Sequence, residues 1–332
     1  MSIDIENISI VYTWVDSTDK NYMFKRKKIR FQYENKNNPY IRKCDPRVLL
    51  NTMEEKKPTA LLSYYNNNEI LYSLRSLRKN MPWHKGKIFI VSPNQVPKWL
   101  SNDSNIIIVN QDDIVPKKHL PTYNTNIIEL YLHKIPGLTD YFIHMNDDYF
   151  INKPLKPTDF FTDRNKINVF LEKNYINLDQ DINKLGTWHA SVLKTSKLIN
   201  NVLGNTKPRY LCHAPFIFHK DIVKKTLQLF ERTINDNNIN NFRDRNDIIP
   251  VFLFIYTNIY FKIIPYNIID DKCKFFLIKN NTDISSIKKE LNDKYLFFCL
   301  NEGRSTPDNE RQNNEIHEFL NSLYPNKIED EK

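Results

Sequence analysis

The chain has little cysteine, and the cysteines that it has are widely spaced. Among its 332 residues only 4 are cysteines, namely Cys44, Cys212, Cys273 and Cys299. No two of them form the CxxC pair that is typical of a structural zinc site. We therefore expect no zinc site, and we expect free thiols of the kind found in a reducing compartment.

Long apolar runs are also missing. No stretch approaches the roughly 18 consecutive apolar residues of a transmembrane helix. The segment Met1–Glu6 is acidic and has no apolar core of the kind found in a signal peptide. Because charged residues make up 26% of the chain, we expect a soluble protein of the cytoplasm.

Internal repeats and long low-complexity linkers are lacking as well. A chain of 332 residues is long enough to bury a large core, either as one α/β domain or as two smaller lobes. Since no linker separates two parts of the chain, a single domain is the simpler interpretation.

Positive charge is in excess, with a formal net charge of +9. A basic surface attracts phosphates, acidic glycans, nucleic acid or an anionic membrane face. The densest basic patch, Lys25–Arg30, is more typical of a solvated helix face than of a nucleic-acid site, and no nucleic-acid module accompanies it. We expect no nucleic-acid partner. The basic patch gives only weak support for peripheral attachment to the inner membrane face.

Strand-like and helix-like segments alternate along the chain, which favours a mainly parallel, doubly wound α/β sheet. Segment 35–60 is predicted to be irregular, segment 152–208 to form a lid or side lobe, and the apolar segment 248–265 to lie in the core. The predicted strands are 8–15, 87–92, 106–109, 141–151 and 295–300. The predicted helices are 20–34, one that opens at 66–69 and is stopped by 81–83, 127–134, 223–234 and about 309–323.

The most informative segment is Tyr141–Phe150, in which an apolar run stops at an acidic pair and then resumes. Two adjacent carboxylates at the end of a buried strand are unfavourable unless something neutralises them. Ligands of open α/β sheets bind outside the carboxyl ends of strands, and Mg²⁺ binds one or two carboxylates together with substrate phosphates. Asp147 and Asp148 are therefore a candidate metal site, with a simple turn as the equally weighted alternative.

Three further segments have both a functional and an ordinary interpretation. Asp16–Asp19 follows the first strand and either faces a ligand or caps the next helix. His213 precedes Pro215; such a histidine is usually a satisfied core or turn residue, and the alternative is a general base. Asn241–Asp247 is either a solvated helix start with local ion pairs or a source of guanidinium groups for a diphosphate. Near these, Asn124 or Asn126 is a candidate N-cap.

Taken together, these blocks resemble the Stealth family, which includes bacterial capsule hexose-1-phosphate transferases and the animal enzyme that tags lysosomal hydrolases. The second region is long and specific. The chain departs from the usual residues of the family at three places: Ser17 replaces a Gly, Tyr65-Asn66 replaces an Arg-Asp pair, and Gln111 replaces a His. The four matching regions are Val11–Asp19, Asn67–Leu155, His213–Pro215 with Phe242, Arg243 and Asp247, and Phe297–Glu302 with the closing segment Phe319–Pro325.

The resemblance implies one Stealth-type catalytic domain over 1–332, with variable insertions at about 35–60 and 165–208. Its expected core is like that of the GT-A nucleotide-sugar transferases, with a small side lobe. The implied reaction moves a hexose-1-phosphate, with GlcNAc-1-phosphate as the expected group, from a UDP-sugar to a hydroxyl of a glycan or sugar phosphate, and it releases UMP during capsule or exopolysaccharide synthesis. The alternatives are a metal-dependent GT-A glycosyltransferase that releases UDP and an inactive glycan-binding protein.

The resemblance also assigns roles to residues. We expect His213 to accept the acceptor proton, and Asp147 and Asp148 to hold Mg²⁺ (or Mn²⁺) on the diphosphate or, for one of them, to orient His213. Arg75 and Arg243 are the expected phosphate clamps. The remaining expected substrate contacts are Trp14 and Asp16 toward the nucleotide, Asn124 and Asn126 toward sugar hydroxyls, and Asn68, Glu69, Asn146 and Asp247.

Overall fold

A computed structural model describes residues 3–34, 67–162, 166–204, 207–237, 240–303 and 310–332. The predicted irregular segment 35–60, Cys44 and the Tyr65-Asn66 departure lie outside these ranges. No helix of the described ranges is both long and apolar enough to cross a membrane.

The centre of the fold is a five-stranded sheet in the order β3-β2-β1-β4-β8. The first four strands in this order are parallel, and β8 is antiparallel to β4. The predicted α/β class with a mainly parallel sheet is confirmed. The strands are β1 (Ser9–Thr13), β2 (Ile88–Ser92), β3 (Ile107–Asn110), β4 (Tyr141–Asn146) and β8 (Phe216–His219).

The central strands form because their side chains are apolar on both faces. Every residue of β1 and β2 is buried, as expected of parallel strands that are covered on both sides. At the edge of the sheet this changes, and Ile107 of β3 is 38% exposed. A continuous run of β-branched residues therefore identified the inner strands correctly.

Helices cover this sheet and the elements beside it, and most lie where the sequence predicted them. The apolar segment 248–265 contains a helix with a nearly continuous buried surface, so its prediction as core is confirmed. The helices are α1 (Lys20–Glu34), α2 (Glu69–Asn80), α3 (Gln111–Ile114), α4 (Thr125–Tyr131), α5 (Thr187–Leu203), α6 (Lys220–Asn237), α7 (Pro250–Phe261), α8 (Ile284–Glu290) and α9 (Glu310–Leu323).

Two smaller sheets flank the central one. The first has the order β10-β11-β5, and the stacked rings of Phe150 and Phe298, 4.8 Å apart, pack there beside Phe319 of α9. The second has the order β7-β6-β9. Their strands are β5 (Tyr149–Ile151), β6 (Ile167–Tyr175), β7 (Arg209–Leu211), β9 (Tyr266–Asp270), β10 (Cys273–Ile278) and β11 (Phe297–Glu302).

The sequence analysis did not anticipate several elements, including β7 and β8, which have only three and four residues. β6 and α5 fall in the segment assigned to a side lobe, and β9 and β10 were not predicted. β9 and β10 are partly exposed, with charged residues among their apolar ones, so neither strand has the continuous apolar run that marks β1 and β2.

Candidate active site

The register of the central sheet brings several predicted site residues to one edge. Thr13, the last residue of β1, lies beside Val91 of β2 and Asn146 of β4, and its hydroxyl donates to Asn146 Oδ1 at 3.3 Å. Because β8 is antiparallel to β4, with Phe216 opposite His144, the chain just before β8 continues this row. The strand order also reverses between β1 and β4, which is where open α/β sheets bind ligands.

The acidic pair forms the turn from β4 to β5, so the turn interpretation describes its backbone correctly. Asp148 Oδ2 accepts hydrogen bonds from Asn301 Nδ2 at 3.2 Å and from Cys299 Sγ at 3.3 Å. Burial, and then the adjacent Asp148 carboxylate, raise the pKa of Asp147 well above its usual value. Burial raises the pKa of Asp148 too, against the effect of its two hydrogen bonds. The pair is thus held close in a setting that disfavours two negative charges.

Glu69 adds a third carboxylate to this region. Its Oε1 and Oε2 accept hydrogen bonds from the side chain and backbone of Asn67 at 3.0 and 2.9 Å, and Asn68 precedes it in the left-handed conformation with φ of 55°. Burial raises the pKa of Glu69, and the Asp148 charge adds to the rise.

Mutually repelling carboxylates with hard oxygen ligands suit a divalent cation such as Mg²⁺. Within the described ranges no three or more His, Cys, Asp or Glu side chains are arranged as a metal-ligand set. A magnesium ion that also binds substrate phosphates needs only one or two carboxylates from the protein. Asp147 and Asp148 therefore fit the cation that the sequence analysis expected, and its presence stays a prediction.

His213 lies beside this turn, in the segment before β8. Its ring centroid is 6.3 Å from that of Tyr149, which follows Asp148 directly. Burial lowers the pKa of His213 to about 4, so its ring is neutral at pH 7. Its Nδ1 is buried and has no hydrogen-bond partner. Four other histidines also have a buried ring nitrogen without a partner, so the role of His213 as a base stays a prediction.

The segment that contains Arg243 is fastened to the start of α4 by a buried carboxylate. Asp247 Oδ2 accepts from Asn124 Nδ2 at 2.8 Å, from Asn126 Nδ2 at 3.1 Å and from the Asp244 backbone at 3.1 Å. Asn124 is also the N-cap of α4, as predicted, and is fully buried. Because Asn124 and Asp247 are fully buried, we assign them a positioning role in place of substrate contacts. Asn126 is only half-buried, and its contact with a sugar stays a prediction.

This fastening positions the Arg243 guanidinium. Its Nε donates to Thr125 Oγ1 at 2.7 Å, and its Nη2 contacts the same oxygen. The side chain is exposed, and no carboxylate among the described residues forms a salt bridge with it. Its charge nevertheless lowers the pKa of Asp148 and of Glu129 against the effect of burial. Arg243 is therefore close to the acidic turn and available to an anion.

The predicted basic patch lies next to Arg243. Arg26 and Arg30 of α1 lie over the ring of Phe242 at 5.8 and 5.5 Å, and that ring stacks on Tyr123 at 5.1 Å. The patch is therefore more than a solvated helix face, because two of its arginines pack beside the residue that precedes Arg243.

Asp16 and Trp14 lie at the carboxyl end of β1. Asp16 Oδ1 accepts from the Thr18 backbone at 2.9 Å and from the Thr18 hydroxyl at 2.6 Å, and Trp14 is buried against the end of β2 through a backbone bond to Val91. The helix-cap interpretation of this cluster is confirmed for Asp19, whose Oδ1 accepts from the backbones at 21 and 22. Asp16 also lies 3.8 Å from Lys98 Nζ, and its contact with the nucleotide stays a prediction.

Arg75 is engaged elsewhere. Its Nε and Nη2 donate to the two oxygens of Glu331 at 2.7 and 2.6 Å, and its Nη1 donates to the Tyr324 carbonyl. Both side chains of this pair are nearly inaccessible to water. The N–H donors that could bind a phosphate in a bidentate manner are already used by the Glu331 carboxylate, so we leave Arg75 out of the proposed site.

Two features of the site were missed in the sequence analysis. Burial raises the pKa of Glu129 to about 7, and its Oε2 has no hydrogen-bond partner. Glu129 follows Thr125 by one helical turn, which places it on the side of α4 that Arg243 contacts. The rings of Trp188 and Phe275 lie 5.9 and 4.4 Å from that of His213. The spacing of Thr125 and Glu129 was a usable signal, whereas nothing local marked the two aromatic residues.

A separate groove of about 640 Å³ opens at the amino ends of β2 and β3, lined by Arg78, His84 and Lys87 among others. None of the proposed site residues lines it. The charged edge of the sheet, rather than this groove, is therefore the candidate active site.

Fold and site together define an α/β protein with charged side chains at the carboxyl ends of its parallel strands. A family profile described as Stealth protein CR2, conserved region 2, matches residues 63–169. The chain is 30% identical over 332 residues to the capsular polysaccharide phosphotransferase fcs1 of Haemophilus influenzae, covering 96% of this chain and 84% of that protein. The chain therefore belongs to the Stealth family of capsular polysaccharide phosphotransferases.

Other relatives agree with this assignment. A capsular polysaccharide phosphotransferase of Actinobacillus suis is 28% identical over 327 residues, with 96% of this chain and 83% of that protein covered. The capsular polysaccharide phosphotransferase LcbA of Neisseria meningitidis is 28% identical over 314 residues, with 90% and 78% covered. Among solved structures, the galactosyltransferase LgtC aligns over 95% of this chain and 96% of its own, with a TM-score of 0.40 and 10% identity. At that level of similarity the fold class rests on the sheet topology alone.

Proposed function

We propose that this chain transfers a sugar-1-phosphate from a UDP-sugar to a hydroxyl group of a glycan or sugar-phosphate acceptor, in the synthesis of a capsule or related polysaccharide. The observation that supports the proposal is an acidic pair at the end of β4 with a neutral histidine beside it, together with an arginine whose charge acts on that pair and which has no salt bridge to a described carboxylate. These are Asp147 and Asp148, His213 and Arg243. Family membership supports the same chemistry, because the relatives named above are phosphotransferases.

In the proposed reaction the acceptor oxygen attacks the β-phosphorus of the donor. A new O–P bond forms while the bond from that phosphorus to the bridging oxygen breaks, and the electron pair leaves with UMP. The product is a sugar-phosphate-sugar diester. The acceptor proton passes to His213, whose ring is neutral and therefore able to accept it.

The chain's charges match the needs of this step. The Arg243 guanidinium, held against Thr125, offers donors to the phosphoryl oxygens, on which negative charge is concentrated. A divalent cation, when bound by Asp147 and Asp148, would neutralise the diphosphate. The pKa of His213 is low for a base in the free protein; a bound diphosphate anion nearby would raise it, since a negative charge favours the imidazolium.

The decisive experiment measures the nucleotide product. The protein is incubated with Mg²⁺, a panel of UDP-sugars and a glycan acceptor, and UMP and UDP are separated by chromatography. Acceptor-dependent release of UMP, with a phosphodiester in the product, is the expected result. Release of UDP identifies a glycosyltransferase, and glycan binding without nucleotide release identifies a binding protein; either outcome overturns the proposal. A His213→Ala variant controls for a contaminating activity.

A further inference from the structure

Next to His213 the protein exposes aromatic surface. Trp188, at the start of α5, is 40% exposed, and Phe275, in β10, is 39% exposed. Large aromatic side chains are normally buried when nothing needs them outside, and an exposed group of them beside polar residues commonly marks a ligand site. These two come from elements far apart in the chain, so their proximity is a property of the fold.

The rings are grouped around the histidine. Trp188 lies 5.9 Å from His213 with a 37° tilt, and Phe275 lies 4.4 Å from it with a 39° tilt. Tyr210 of β7 extends the surface, stacked on Trp188 at 6.5 Å and 22°. We call Trp188, Tyr210 and Phe275 the aromatic platform.

We propose that the aromatic platform is the acceptor subsite, on which a sugar ring of the acceptor stacks so that one of its hydroxyl groups reaches His213. The inference rests on the proposed function, because it takes His213 as the base. If His213 removes the acceptor proton, the acceptor oxygen must come within hydrogen-bond distance of that ring. The surface that surrounds the ring, and so positions the acceptor, is this platform.

The location favours the acceptor over the nucleotide. The crevice expected to hold the nucleotide lies between the ends of β1 and β4, where Asp16 is found. The platform is built on α5, β7 and β10, none of which belongs to the central sheet. The acidic turn Asp147–Asp148 adjoins both, because it follows Asn146, which pairs with Thr13 of β1, and precedes Tyr149, whose ring lies 6.3 Å from that of His213. A diphosphate bound at that turn would thus have its nucleotide on one side and the platform on the other.

The chemistry of the platform fits a carbohydrate. A pyranose has an apolar face of C–H groups, which packs on an aromatic ring, and a rim of hydroxyl groups, which needs water or polar partners. The platform is half open to solvent and borders His213, so it offers both. Tyr210 and His213 cover part of the Trp188 ring, and His213 covers part of the Phe275 ring. The parts of the two rings that stay exposed, 40% for Trp188 and 39% for Phe275, are the surface that a sugar would cover.

The test measures binding without donor and without turnover. Methyl glycosides of N-acetylglucosamine, N-acetylgalactosamine, mannose, galactose and glucose are titrated, at up to about 50 mM, into the full chain and into a Trp188→Ala variant, with saturation-transfer NMR as the readout. We expect at least one glycoside to bind, and the variant to bind it roughly 3- to 10-fold more weakly, as the loss of one aromatic contact implies. Trp188→Phe should recover most of the affinity, and Phe275→Ala should lower it.

Tyr260→Ala is the matched control, since Tyr260 is 51% exposed on α7 and lies outside the platform. It should bind the glycosides as the unmodified chain does. Binding of no glycoside, or equal binding by the Trp188→Ala variant, overturns the acceptor subsite. UMP release with an unchanged acceptor KM in that variant also overturns it, while leaving the transfer reaction in place. Trp188-dependent binding without any UMP release would remove the reaction and keep a sugar site.

Discussion

The Asp247 carboxylate and the Asn124 amide are joined by a buried hydrogen bond of 2.8 Å that connects positions 123 residues apart in the chain. Through this bond, the segment that carries Arg243 is attached to the N-cap of α4. Three donors converge on Asp247 Oδ2, while Oδ1 is buried with no partner. The position of the Arg243 guanidinium is therefore set by a residue that need not touch substrate.

Replacing Asp247 tests this arrangement. Asp247→Ala leaves the buried Asn124 donor unpaired, and we expect a loss of about 2–3 kcal/mol in the free energy of unfolding, together with reduced activity. Asp247→Asn should be much milder, because an amide oxygen can accept the same three bonds while its NH₂ occupies the place of the unpartnered oxygen. Urea denaturation of both variants measures the difference. Equal losses for Ala and Asn would contradict the assigned role.

His213→Ala should reduce kcat/KM by about 10²–10⁴ while leaving donor binding intact, as expected for the loss of a general base. His219→Ala is the control, because His219 lies at the other end of β8, against Tyr141. The pH dependence sharpens the test. A base works when it is deprotonated, so activity that depends on it is lost as the pH falls through its pKa.

Because burial lowers the pKa of His213 to about 4, its contribution should persist well below the usual histidine range. The ratio of kcat/KM for the unmodified chain to that for His213→Ala isolates this contribution from other titrating groups. We expect the ratio to stay constant from pH 8 down to about 5 and to fall toward one only near pH 4. A ratio that declines through pH 6.5 would contradict the lowered pKa, and a ratio close to one at neutral pH would remove His213 from the role.

The acidic pair makes a prediction about stability and metal together. The pKa of Asp147 is raised above its unfolded value of 3.8, so between these two values the folded state binds more protons than the unfolded state. Stability therefore falls as the pH rises through this window, and the loss is complete above the folded pKa. In EDTA at pH 7, Asp147→Asn should raise Tm, by roughly 2–4 °C per kcal/mol of relieved repulsion. Near pH 3 the difference should vanish.

With magnesium present, the unmodified chain should have a higher Tm than Asp147→Asn. A cation that binds the pair stabilises the folded state of the unmodified chain, and its Tm should rise with Mg²⁺ concentration. Asp147→Asn and Asp148→Asn should lose most of that rise, and Asp148→Asn should also show lower activity with a blunted response to Mg²⁺. The exposed Asp113→Asn variant is the control. If both pair variants keep the full magnesium response, the cation binds elsewhere.

The sequence located four of the five strands of the central sheet, and the acidic edge, because those signals are local. β1 and β2 are unbroken apolar runs, and Asp147–Asp148 interrupts a third. What it could not locate was decided by partners distant in the chain. Asn124 has the same appearance whether its amide faces a sugar or Asp247, and the platform exists only because α5 and β10 meet at His213. Arg75 and Glu331 are 256 residues apart in the chain, and no local sequence pattern predicts that they pair.

The two arginines that the sequence treated alike should therefore behave differently. Arg75→Ala leaves the buried Glu331 charge unpaired, and we expect a loss of about 3–5 kcal/mol in stability, with the activity of the folded protein largely retained. Arg243→Ala removes an exposed side chain, and we expect a stability change within about 0.5 kcal/mol but a loss of about 10²–10³ in kcat. Chemical denaturation and UMP release, measured on the same preparations, separate the two effects.

An Arg75→Ala, Glu331→Gln double variant should recover part of the lost stability, because it removes both charges. Should Arg75→Ala instead lose activity while keeping its stability, the original assignment of Arg75 as a phosphate clamp would be correct.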